Sequence, residues 1–389
     1  MKYNLVATAT FGLEAIVKRE VEKLGYKVLS TEDSRVTFLG NEEAIVRANL
    51  WLRSADRVFI KLAEFDASEF EDIYQGVLAI PFEEYIPLDG NFTTDAVSVK
   101  SKLSAVPSIQ SVAEKAIVHR MQSVYSLSKN ERLSKTGASY KIRISLHKDR
   151  VLVLMDTSGA GLHKRGYRTR NVAAPIKETL AAAMVSLSFW KSGRLLLDPF
   201  CGSGTIAIEA AMSEMNIAPG LGRKFASEDW HIIDSLVWKE ERSAAFAAIR
   251  HDRDIRIVGF DIDAEAIEAA RENAINAGVD DVIEWRKISF EDFVGGYAGT
   301  EYASEDFGII ITNPPYGERI GEKKQVDSIY REVGSFLGTR PTWSLYLITT
   351  DENFEATAMG RPADRRRKLY NGRLKTTYYQ YYGARPPKI

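Results

Sequence analysis

The chain has 389 residues, of which 45% are hydrophobic and 27% charged, and its formal net charge is −1. This length predicts two or three globular domains, and the longest apolar runs are far shorter than the roughly 18 residues of a membrane span. Cys201 is the single cysteine, which excludes intrachain disulfides and thiolate metal clusters and predicts a reducing, cytoplasmic location.

The first 65 residues follow a ferredoxin-like order of secondary structure. The stretch YNLVATA alternates like a strand, and GLEAIVKREVEKLGY has the spacing of a helix that stops at Gly25. The stretches KVLS and RVTFLG predict two further strands, NEEAIVRANLWL predicts a helix capped by Asn41, and DRVFIKLAEF predicts a fourth strand. The order β-α-β-β-α-β predicts a ferredoxin-like domain over residues 1–65.

A second unit is predicted over residues 66–157, and a basic linker over residues 158–175. Helical patterns in ASEFEDIYQGVLAI and PSIQSVAEKAIVHRMQSVY flank a strand, and SYKIRISLH and RVLVLMDTS predict a hairpin that turns at Lys148–Asp149. The stretch SGAGLHKRGYRTRN is rich in glycine and basic residues, as linkers often are.

Basic residues are concentrated in two segments of this nearly neutral chain. From Lys129 to Arg170 there are eleven lysines and arginines against three acids, and from Arg361 to the C-terminus there are nine against one. Each segment has a net charge of +8. Together they predict a basic face for a polyanionic partner, although a solvated surface with no ligand has the same composition.

Residues 176–389 alternate between apolar strands and helical stretches. The strands are predicted at GRLLLD, IRIVGFD, DFGIIIT and WSLYLIT, and AEAIEAARENAINAG is one of the helical stretches between them. Apolar strands separated by helices predict a parallel sheet that is covered on both faces. Ligands bind such sheets at the carboxyl ends of the strands, so the informative residues are expected just after each strand.

The first of these strands ends at Asp198 and leads into a glycine loop, Gly202-Ser203-Gly204, with Thr205 opening a helix. Glycines let the backbone approach a ligand closely, but the spacing alone also fits a dinucleotide site. A carboxylate before the loop would repel a pyrophosphate and attract a cation. No acidic strand end follows about 20 residues later, as a dinucleotide site expects. S-adenosylmethionine, which carries a positive amino group and a sulfonium, suits Asp198 better.

The second strand ends at Asp261, which is the candidate acceptor for two ribose hydroxyls. Asp263 is predicted to cap the following helix, and Ile262 is placed to cover one face of the adenine. Either acid alone has an ordinary structural explanation. Acids on two successive strand ends favour a nucleoside cofactor.

The third apolar run is followed by Asn313, Pro314, Pro315 and Tyr316. The prolines fix φ, so the turn is stiff and presents the Asn313 amide oxygen and the Pro314 carbonyl as acceptors, beside the ring of Tyr316. Two such acceptors would bind the two N–H groups of an exocyclic amine on a nucleobase, and the ring would stack on that base. Alignment and charge placement can then supply most of the catalysis.

These stretches closely resemble the class I, S-adenosylmethionine-dependent RNA methyltransferases that carry a THUMP domain and form N2-methylguanine. The resemblance rests on DPFCGSGTIAIEAA, NPPYGERIG, LHKRGYR and NVAAPIKETLAAAM. The continuation GERIG and the late stretch KLYNGRLKTTYYQYY are most similar to the bacterial branch that modifies 23S ribosomal RNA. The resemblance implies an α/β fold with an N-terminal ferredoxin-like domain, a THUMP RNA-binding domain over 66–157 and a Rossmann-like methyltransferase domain over 176–389.

The resemblance also implies roles for individual residues. It places the methionine end of the cofactor at Asp198, Phe200, Gly202, Ser203, Gly204 and Thr205. It places the ribose at Asp261 and the target base at Asn313, Pro314, Pro315 and Tyr316, with Asn313 also counted among the cofactor-binding residues. Many such enzymes have an acid after the third sheet strand that binds the adenine amino group. This chain has Ile288 and Ser289 there, and Asp292 follows. The adenine contact is therefore open, because Asp292 can instead be a helix-start residue.

The implied function is transfer of a methyl group to a guanine N2 amine in structured RNA, with 23S ribosomal RNA expected as the partner. Phosphate contacts are expected from the linker residues Lys164, Arg165, Arg168 and Arg170. Methylation of tRNA guanine-N2 or of adenine-N6 stays open, and so does an inactive RNA-binding or assembly factor. No metal site is predicted, because the five histidines show no paired ligand spacing, and no membrane partner is predicted. Cys201 is expected to pack within the loop instead of acting as a nucleophile.

Overall fold

The computed structural model describes residues 1–128, 131–170, 175–297, 302, 305–316 and 322–385. The chain forms two compact units, each of which includes a short segment from elsewhere in the sequence. The first unit consists of Met1–Ala9, Val17–Leu162 and Lys224–Ala244, and the second of Thr10–Ile16, His163–Arg223 and Ala245–Ile389. No helix in the described ranges combines the length and the apolar character needed to cross a membrane.

The first unit is built on a mixed seven-stranded sheet. Its strands are β1 (Tyr3–Ala9), β2 (Val28–Glu32), β3 (Arg35–Gly40), β4 (Ala55–Asp66), β5 (Asn91–Val99), β6 (Ser139–His147) and β7 (Arg150–Asp156). They lie in the order β2-β3-β1-β4-β7-β6-β5, in which β5 and β6 are parallel and the other neighbours antiparallel.

Four helices accompany these strands: α1 (Glu14–Lys23), α2 (Glu42–Trp51), α3 (Phe70–Leu78) and α4 (Val106–Val124). The first six elements come in the order β-α-β-β-α-β, which confirms the ferredoxin-like prediction. The Asn41 side chain accepts a hydrogen bond from the Ala44 N–H at 3.0 Å, so the predicted helix cap is also confirmed. Lys148 and Asp149 both have positive φ at the turn between β6 and β7, where the hairpin was expected.

The second unit contains another seven-stranded sheet. Its strands are β8 (Leu195–Asp198), β9 (Arg256–Asp261), β10 (Ile283–Lys287), β11 (Ile309–Thr312), β12 (Ser344–Thr349), β13 (Arg365–Asn371) and β14 (Leu374–Tyr381). The order is β10-β9-β8-β11-β12-β14-β13, parallel through the first five strands and antiparallel at β14 and β13. This is the predicted Rossmann-like sheet with an added antiparallel hairpin.

Helices cover this sheet, as the apolar strands predict. They are α5 (Glu178–Leu187), α6 (Thr205–Glu214), α8 (Ala264–Ala277), α9 (Phe290–Asp292) and α10 (Glu322–Gly338), whereas most of α7 (Ser235–Ala247) belongs to the first unit. Leu195, Leu197 and Leu345 belong to a buried cluster with Tyr330 and Phe336 of α10. Their neighbours in sequence are buried as well, for example Leu196 and Tyr346 at 0% exposure. Since successive strand residues point to opposite faces, both faces of the sheet are buried.

Candidate active site

The strand order reverses at β8, which lies between β9 on one side and β11 on the other. Strands β9 and β10 continue the sheet in one direction, and β11 and β12 continue it in the other. Open α/β sheets bind ligands at the carboxyl ends of the strands at such a reversal. The three predicted strand-end groups follow β8, β9 and β11, so the topology brings them to the same edge of the sheet.

Asp198 ends β8 and is only 1% exposed. Its Oδ1 accepts a hydrogen bond from the Thr312 hydroxyl at 2.9 Å. Burial raises the pKa of the carboxyl to about 7, although the hydrogen bond from Thr312 lowers it, and the nearby charge of Asp261 raises it further. Within the described ranges no basic side chain pairs with Asp198. A buried carboxylate without a cation is a site that a positively charged ligand would stabilise.

The two glycines of the loop after Asp198 differ in their surroundings. Gly204 has a φ of +79°, and a Cβ there would lie 2.5 Å from the Trp285 ring and 3.0 Å from the Cβ of Ala270. Gly202 also has positive φ, +50°, but a Cβ there would meet nothing within 4 Å. Glycine is therefore required at Gly204 by packing, whereas the loop surface at Gly202 is open on the side that a ligand would approach.

The remaining predicted loop residues are largely enclosed. Ser203 and Thr205 are each 3% exposed, and the Ser203 carbonyl accepts a hydrogen bond from the Asn273 side chain at 3.1 Å. The ring of Phe200 lies 5.9 Å from that of Phe290, measured between centroids. Ser203 and Thr205 are therefore suited to contact a cofactor through their backbone groups, and Phe200 through the edge of its ring.

Asp261 connects the loop to the end of β9. Its Oδ2 accepts from the Gly202 N–H at 3.0 Å, and its Oδ1 accepts from the Asp263 N–H at 3.0 Å. Each carboxylate oxygen has a further lone pair for a ribose hydroxyl. Asp263 accepts from the Glu265 N–H at 2.9 Å, which confirms it as the cap of α8. Ile262 is 71% exposed beside them, an unusual position for a large apolar side chain.

The turn after β11 differs in one respect from the expected arrangement. The Tyr316 hydroxyl donates a hydrogen bond to Asn313 Oδ1 at 2.6 Å, so the amide oxygen predicted as a free acceptor is engaged within the turn. Pro314 is buried and Pro315 is exposed. An incoming amine must therefore use the second lone pair of the oxygen or replace the tyrosine hydroxyl. The continuation GERIG, residues 317–321, lies outside the described residues.

The position after β10 carries no acid that points to an adenine. The Ile288 N–H donates to the Asp261 carbonyl at 3.0 Å, and Ile288 packs against the buried cluster. The Ser289 hydroxyl accepts from the Asp292 N–H at 3.0 Å and donates to the Asp292 carboxylate at 2.7 Å. Asp292 thus has the local helix-start role that was its alternative explanation.

Arg165 is not placed to contact RNA, which corrects its assignment. It is 4% exposed, and its guanidinium pairs with the carboxylate of Glu209 at 3.3 Å. The Tyr167 hydroxyl donates to the same carboxylate at 3.2 Å. Arg168 also points inward, with hydrogen bonds to Thr205 Oγ1 at 2.6 Å and an ion pair to Glu178 at 3.3 Å. These two arginines attach the basic linker to helices α5 and α6.

Lys164 and Arg170 are exposed, and for them RNA contact stays a prediction. Arg170 forms surface ion pairs with Glu272 at 2.9 Å and Glu268 at 3.4 Å, so an RNA phosphate would compete with two carboxylates. Neither side chain is enclosed by the fold.

The Cys201 thiol is buried in the loop, where burial raises its pKa far above the ordinary value. A thiol held in its protonated form is a poor nucleophile, which supports the packing role. The described residues also contain no group of three or more side chains able to hold a metal ion.

Three residues important for the site were not identified from sequence: Thr312, Trp285 and Asn273. Thr312 binds Asp198, Trp285 packs under the glycine loop, and Asn273 bonds to the Ser203 carbonyl. Asn273 also accepts from the Thr169 N–H at 3.2 Å. The sequence carries a signal for two of them, because each is a polar residue at a position expected to be buried. Thr312 ends a run of isoleucines, and Asn273 lies on the apolar face of a helix.

Family models match nearly the whole chain. Residues 165–380 match the RMKL-like methyltransferase domain, residues 4–59 the RlmL ferredoxin-like domain and residues 67–156 the THUMP domain. These matches confirm the predicted ferredoxin-like, THUMP and methyltransferase domains. The exact boundaries at residues 65, 157 and 175 stay predictions.

Bacterial relatives match over nearly the full length of this chain. The chain is 46% identical to "Putative RNA methyltransferase YpsC" of Bacillus subtilis, with 100% of this chain and 98% of that protein covered. It is 35% identical to "Ribosomal RNA large subunit methyltransferase K/L" of Syntrophotalea carbinolica, covering 95% of this chain but 52% of that protein. The chain therefore spans about half the length of that K/L relative.

Solved structures with the same fold are also similar in sequence. The structure of "SMU.472, a putative methyltransferase complexed with SAH" superposes with a TM-score of 0.91 at 45% identity, covering 99% of both chains. A "predicted N6-adenine-specific DNA methylase from Listeria monocytogenes" superposes with a TM-score of 0.91 at 46% identity, covering 99% of this chain and 97% of that one.

Proposed function

This chain belongs to the RMKL-like methyltransferase family, and we propose that it transfers a methyl group from S-adenosylmethionine to the exocyclic N2 amine of a guanine in 23S ribosomal RNA, in the cytoplasm. The observation that carries the proposal is the hydrogen bond between Thr312 and Asp198. It joins the strand end suited to a cationic cofactor to the strand end that carries Asn313. Cofactor and amine would thus bind at adjoining positions.

The cofactor side of the site fits S-adenosylmethionine by its chemistry. The buried carboxylate of Asp198 supplies the negative charge that a positive amino group needs. Asp261 keeps a lone pair on each oxygen for ribose, and the exposed side chain of Ile262 can cover an adenine face. When bound, the cofactor supplies an activated methyl group. The similar SMU.472 protein was crystallised with SAH, the demethylated product.

The amine side of the site uses the turn after β11. A guanine N2 amine is a weak nucleophile, because its lone pair is delocalised into the ring. The Asn313 amide oxygen and the Pro314 carbonyl would accept its two N–H groups and stabilise positive charge on the nitrogen, and Tyr316 would stack on the base. The extra proton can leave after methyl transfer, so no general base is required.

RNA as the substrate class is supported by the THUMP match over residues 67–156 and by the names of the relatives. Adenine-N6 methylation is the second candidate, because the same acceptor pair suits any planar exocyclic amine. The similar Listeria protein carries the name of an N6-adenine-specific DNA methylase. Methylation of a guanine in tRNA is a third candidate, and the experiment below distinguishes it from the other two.

The experiment is nucleoside mass spectrometry of 23S, 16S and transfer RNA from a deletion strain and its parent. Loss of one N2-methylguanosine from 23S RNA is expected. Complementation with the wild-type gene should restore it, whereas the Asn313→Ala gene should not, because the variant lacks the amide acceptor. Loss of N2-methylguanosine from transfer RNA would contradict the proposed RNA, and loss of N6-methyladenosine would contradict the proposed base. No loss of any modification would contradict the proposed activity.

A matched binding measurement separates the two halves of the site. Asn313→Ala should lower turnover by a few orders of magnitude and leave the cofactor dissociation constant nearly unchanged. Asp261→Ala should weaken cofactor binding first. If both variants lost cofactor affinity equally, the assignment of Asn313 to the target base would be wrong.

A further inference from the structure

An exposed surface of the second unit lies at the free end of the β13–β14 hairpin. It consists of Phe11, Lys368, Tyr370 and Arg373, which we call the hairpin-tip surface. Strand β13 is the outermost strand of its sheet. The hairpin turns at Gly372 and Arg373, between the paired residues Asn371 and Leu374.

The aromatic part of this surface is open to solvent. Phe11 is 46% exposed, and Tyr370 beside it is half-buried. The Phe11 ring packs edge-on against Tyr370, with centroids 6.3 Å apart and an interplanar angle of 78°. Large apolar side chains gathered at an exposed position indicate an interaction site more often than isolated ones do.

The position of Phe11 is built into the fold. The neighbouring Gly12 has a φ of +94°, and a Cβ there would lie 2.8 Å from the carbonyl oxygen of Lys368. The Gly12 N–H also donates to the Glu14 carboxylate at 2.9 Å. Only glycine allows this close approach without a shift, so the turn holds Phe11 against the edge of β13.

The cationic part of the surface is unpaired. Lys368 Nζ lies 5.8 Å from the centre of the Tyr370 ring, and neither Lys368 nor Arg373 has a carboxylate partner among the described residues. Their neighbours differ, since Arg366 pairs with Glu355 at 2.6 Å and Lys375 with Glu352 at 3.2 Å. Lys368, which lies beside the Tyr370 ring, therefore differs from these paired neighbours.

We propose that the hairpin-tip surface binds a single-stranded segment of the RNA substrate, with a base against Phe11 and Tyr370 and phosphates at Lys368 and Arg373. Proteins bind single-stranded nucleic acid through this combination of aromatic platforms and cations. The inference rests on the proposed function, because it assigns a second contact to the same RNA. The alternative is that the cations only protect an edge strand from self-association.

The test compares two double variants of the full chain with matched controls. The charge variant is Lys368→Glu with Arg373→Glu, and its control is Lys191→Glu, an exposed lysine of the same unit. The ring variant is Phe11→Ala with Tyr370→Ala, and its control is Phe246→Ala, which is 72% exposed in the same unit. The probe is a labelled single-stranded oligouridylate, titrated over a series of KCl concentrations.

The charge variant should bind the oligouridylate more weakly and with a log–log salt slope that is smaller by about 1.4, since each lost single-strand phosphate contact removes about 0.7. The ring variant should lose about tenfold or more in affinity with an unchanged salt slope, because stacking does not release counterions. Both controls should bind like the wild type. Unchanged thermal unfolding and cofactor affinity would show that the variants are folded.

Wild-type affinity in both double variants would overturn the proposal, and new self-association in the charge variant would then identify edge protection as the role of the cations. The proposed function fails on a different result, namely a wild-type chain that transfers no methyl group to 23S RNA from the deletion strain. Oligouridylate binding needs no catalysis, so the two failures are distinguishable.

Discussion

The basic linker around Arg165 and the hairpin around Lys368 are both strongly basic in sequence. They differ in whether their cations are buried in ion pairs or exposed. Arg165 and Arg168 are directed into the fold and pair with Glu209 and Glu178. Lys368 and Arg373 remain exposed without carboxylate partners among the described residues. A basic segment is therefore a candidate ligand surface only where its cations are exposed and lack carboxylate partners.

The same rule applies to a buried acid. Glu209 has its arginine within the fold, whereas Asp198 has no basic partner in the part of the chain that the structure describes. The fold tolerates Asp198 by raising its pKa to about 7, chiefly through burial. A charge that is buried without a partner lowers stability, and for this reason the proposed function assigns Asp198 to a positively charged ligand.

The largest stability effect is expected at Arg165. Arg165→Met should lower the free energy of unfolding by about 3–5 kcal/mol, because it leaves the Glu209 carboxylate buried without its cation. Lys368→Met should change it by less than ~0.5 kcal/mol, as exposed substitutions usually do. Urea unfolding of the two variants checks this contrast.

The double variant Arg165→Met with Glu209→Gln provides the control, since the glutamine oxygen can still accept from Tyr167. It should recover much of the lost stability. Equal stability of Arg165→Met and Lys368→Met would contradict the inference that the buried ion pair of Arg165 stabilises the fold more than the exposed Lys368 does.

The next effect concerns Asp198. Asp198→Asn should weaken cofactor binding by at least about 30-fold, because a buried charge pair is lost. The same change should stabilise the cofactor-free protein at pH 8 by about 1–3 kcal/mol, because it removes a buried, unpaired charge and keeps an acceptor for Thr312. Isothermal titration calorimetry and urea unfolding measure the two effects. A variant that lost stability together with affinity would indicate a structural acid.

The pH dependence has a defined sign. The folded pKa of Asp198, about 7, lies above the ordinary value of 3.8, so the folded state binds the proton more tightly than the unfolded state. Its contribution to stability is therefore full below about pH 4 and is lost as the pH rises towards 7. Cofactor affinity should change in the opposite direction, falling up to about tenfold per pH unit below 7. Asp198→Asn should remove both dependences, and a slope that persists in the variant would assign them to another group.

The smallest effect is expected at Arg170. Its ion pairs with Glu268 and Glu272 are exposed, so Arg170→Ala should change the free energy of unfolding by about 1 kcal/mol or less. Its effect on RNA affinity distinguishes a phosphate contact from a surface ion pair. Loss of RNA affinity would support a phosphate contact at Arg170, and unchanged affinity would leave it the surface ion pairs alone.

Much of the fold followed from local sequence. The strand YNLVATA coincides with β1, and the Asn41 cap and the β6–β7 turn occur where they were expected. Such features are encoded within about ten residues by side-chain periodicity and turn chemistry. The three strand-end groups were also located in advance, because parallel sheets bind ligands at one edge. One detail was not predicted: the Asn313 amide oxygen accepts a hydrogen bond from the Tyr316 hydroxyl.

The tertiary structure alone decided which charges and polar groups have partners. Arg165 meets Glu209 across 44 residues of sequence, and Thr312 meets Asp198 across 114. The Phe11 turn joins the β13 edge from the opposite end of the chain, and Lys224–Ala244 becomes part of the first unit. Local periodicity specifies that a residue is buried or exposed, but the identity of its partner depends on how distant elements pack. For that reason the domains and the positions of the strand-end groups could be predicted from the sequence, whereas only the packed fold showed which basic residues of the described ranges have carboxylate partners.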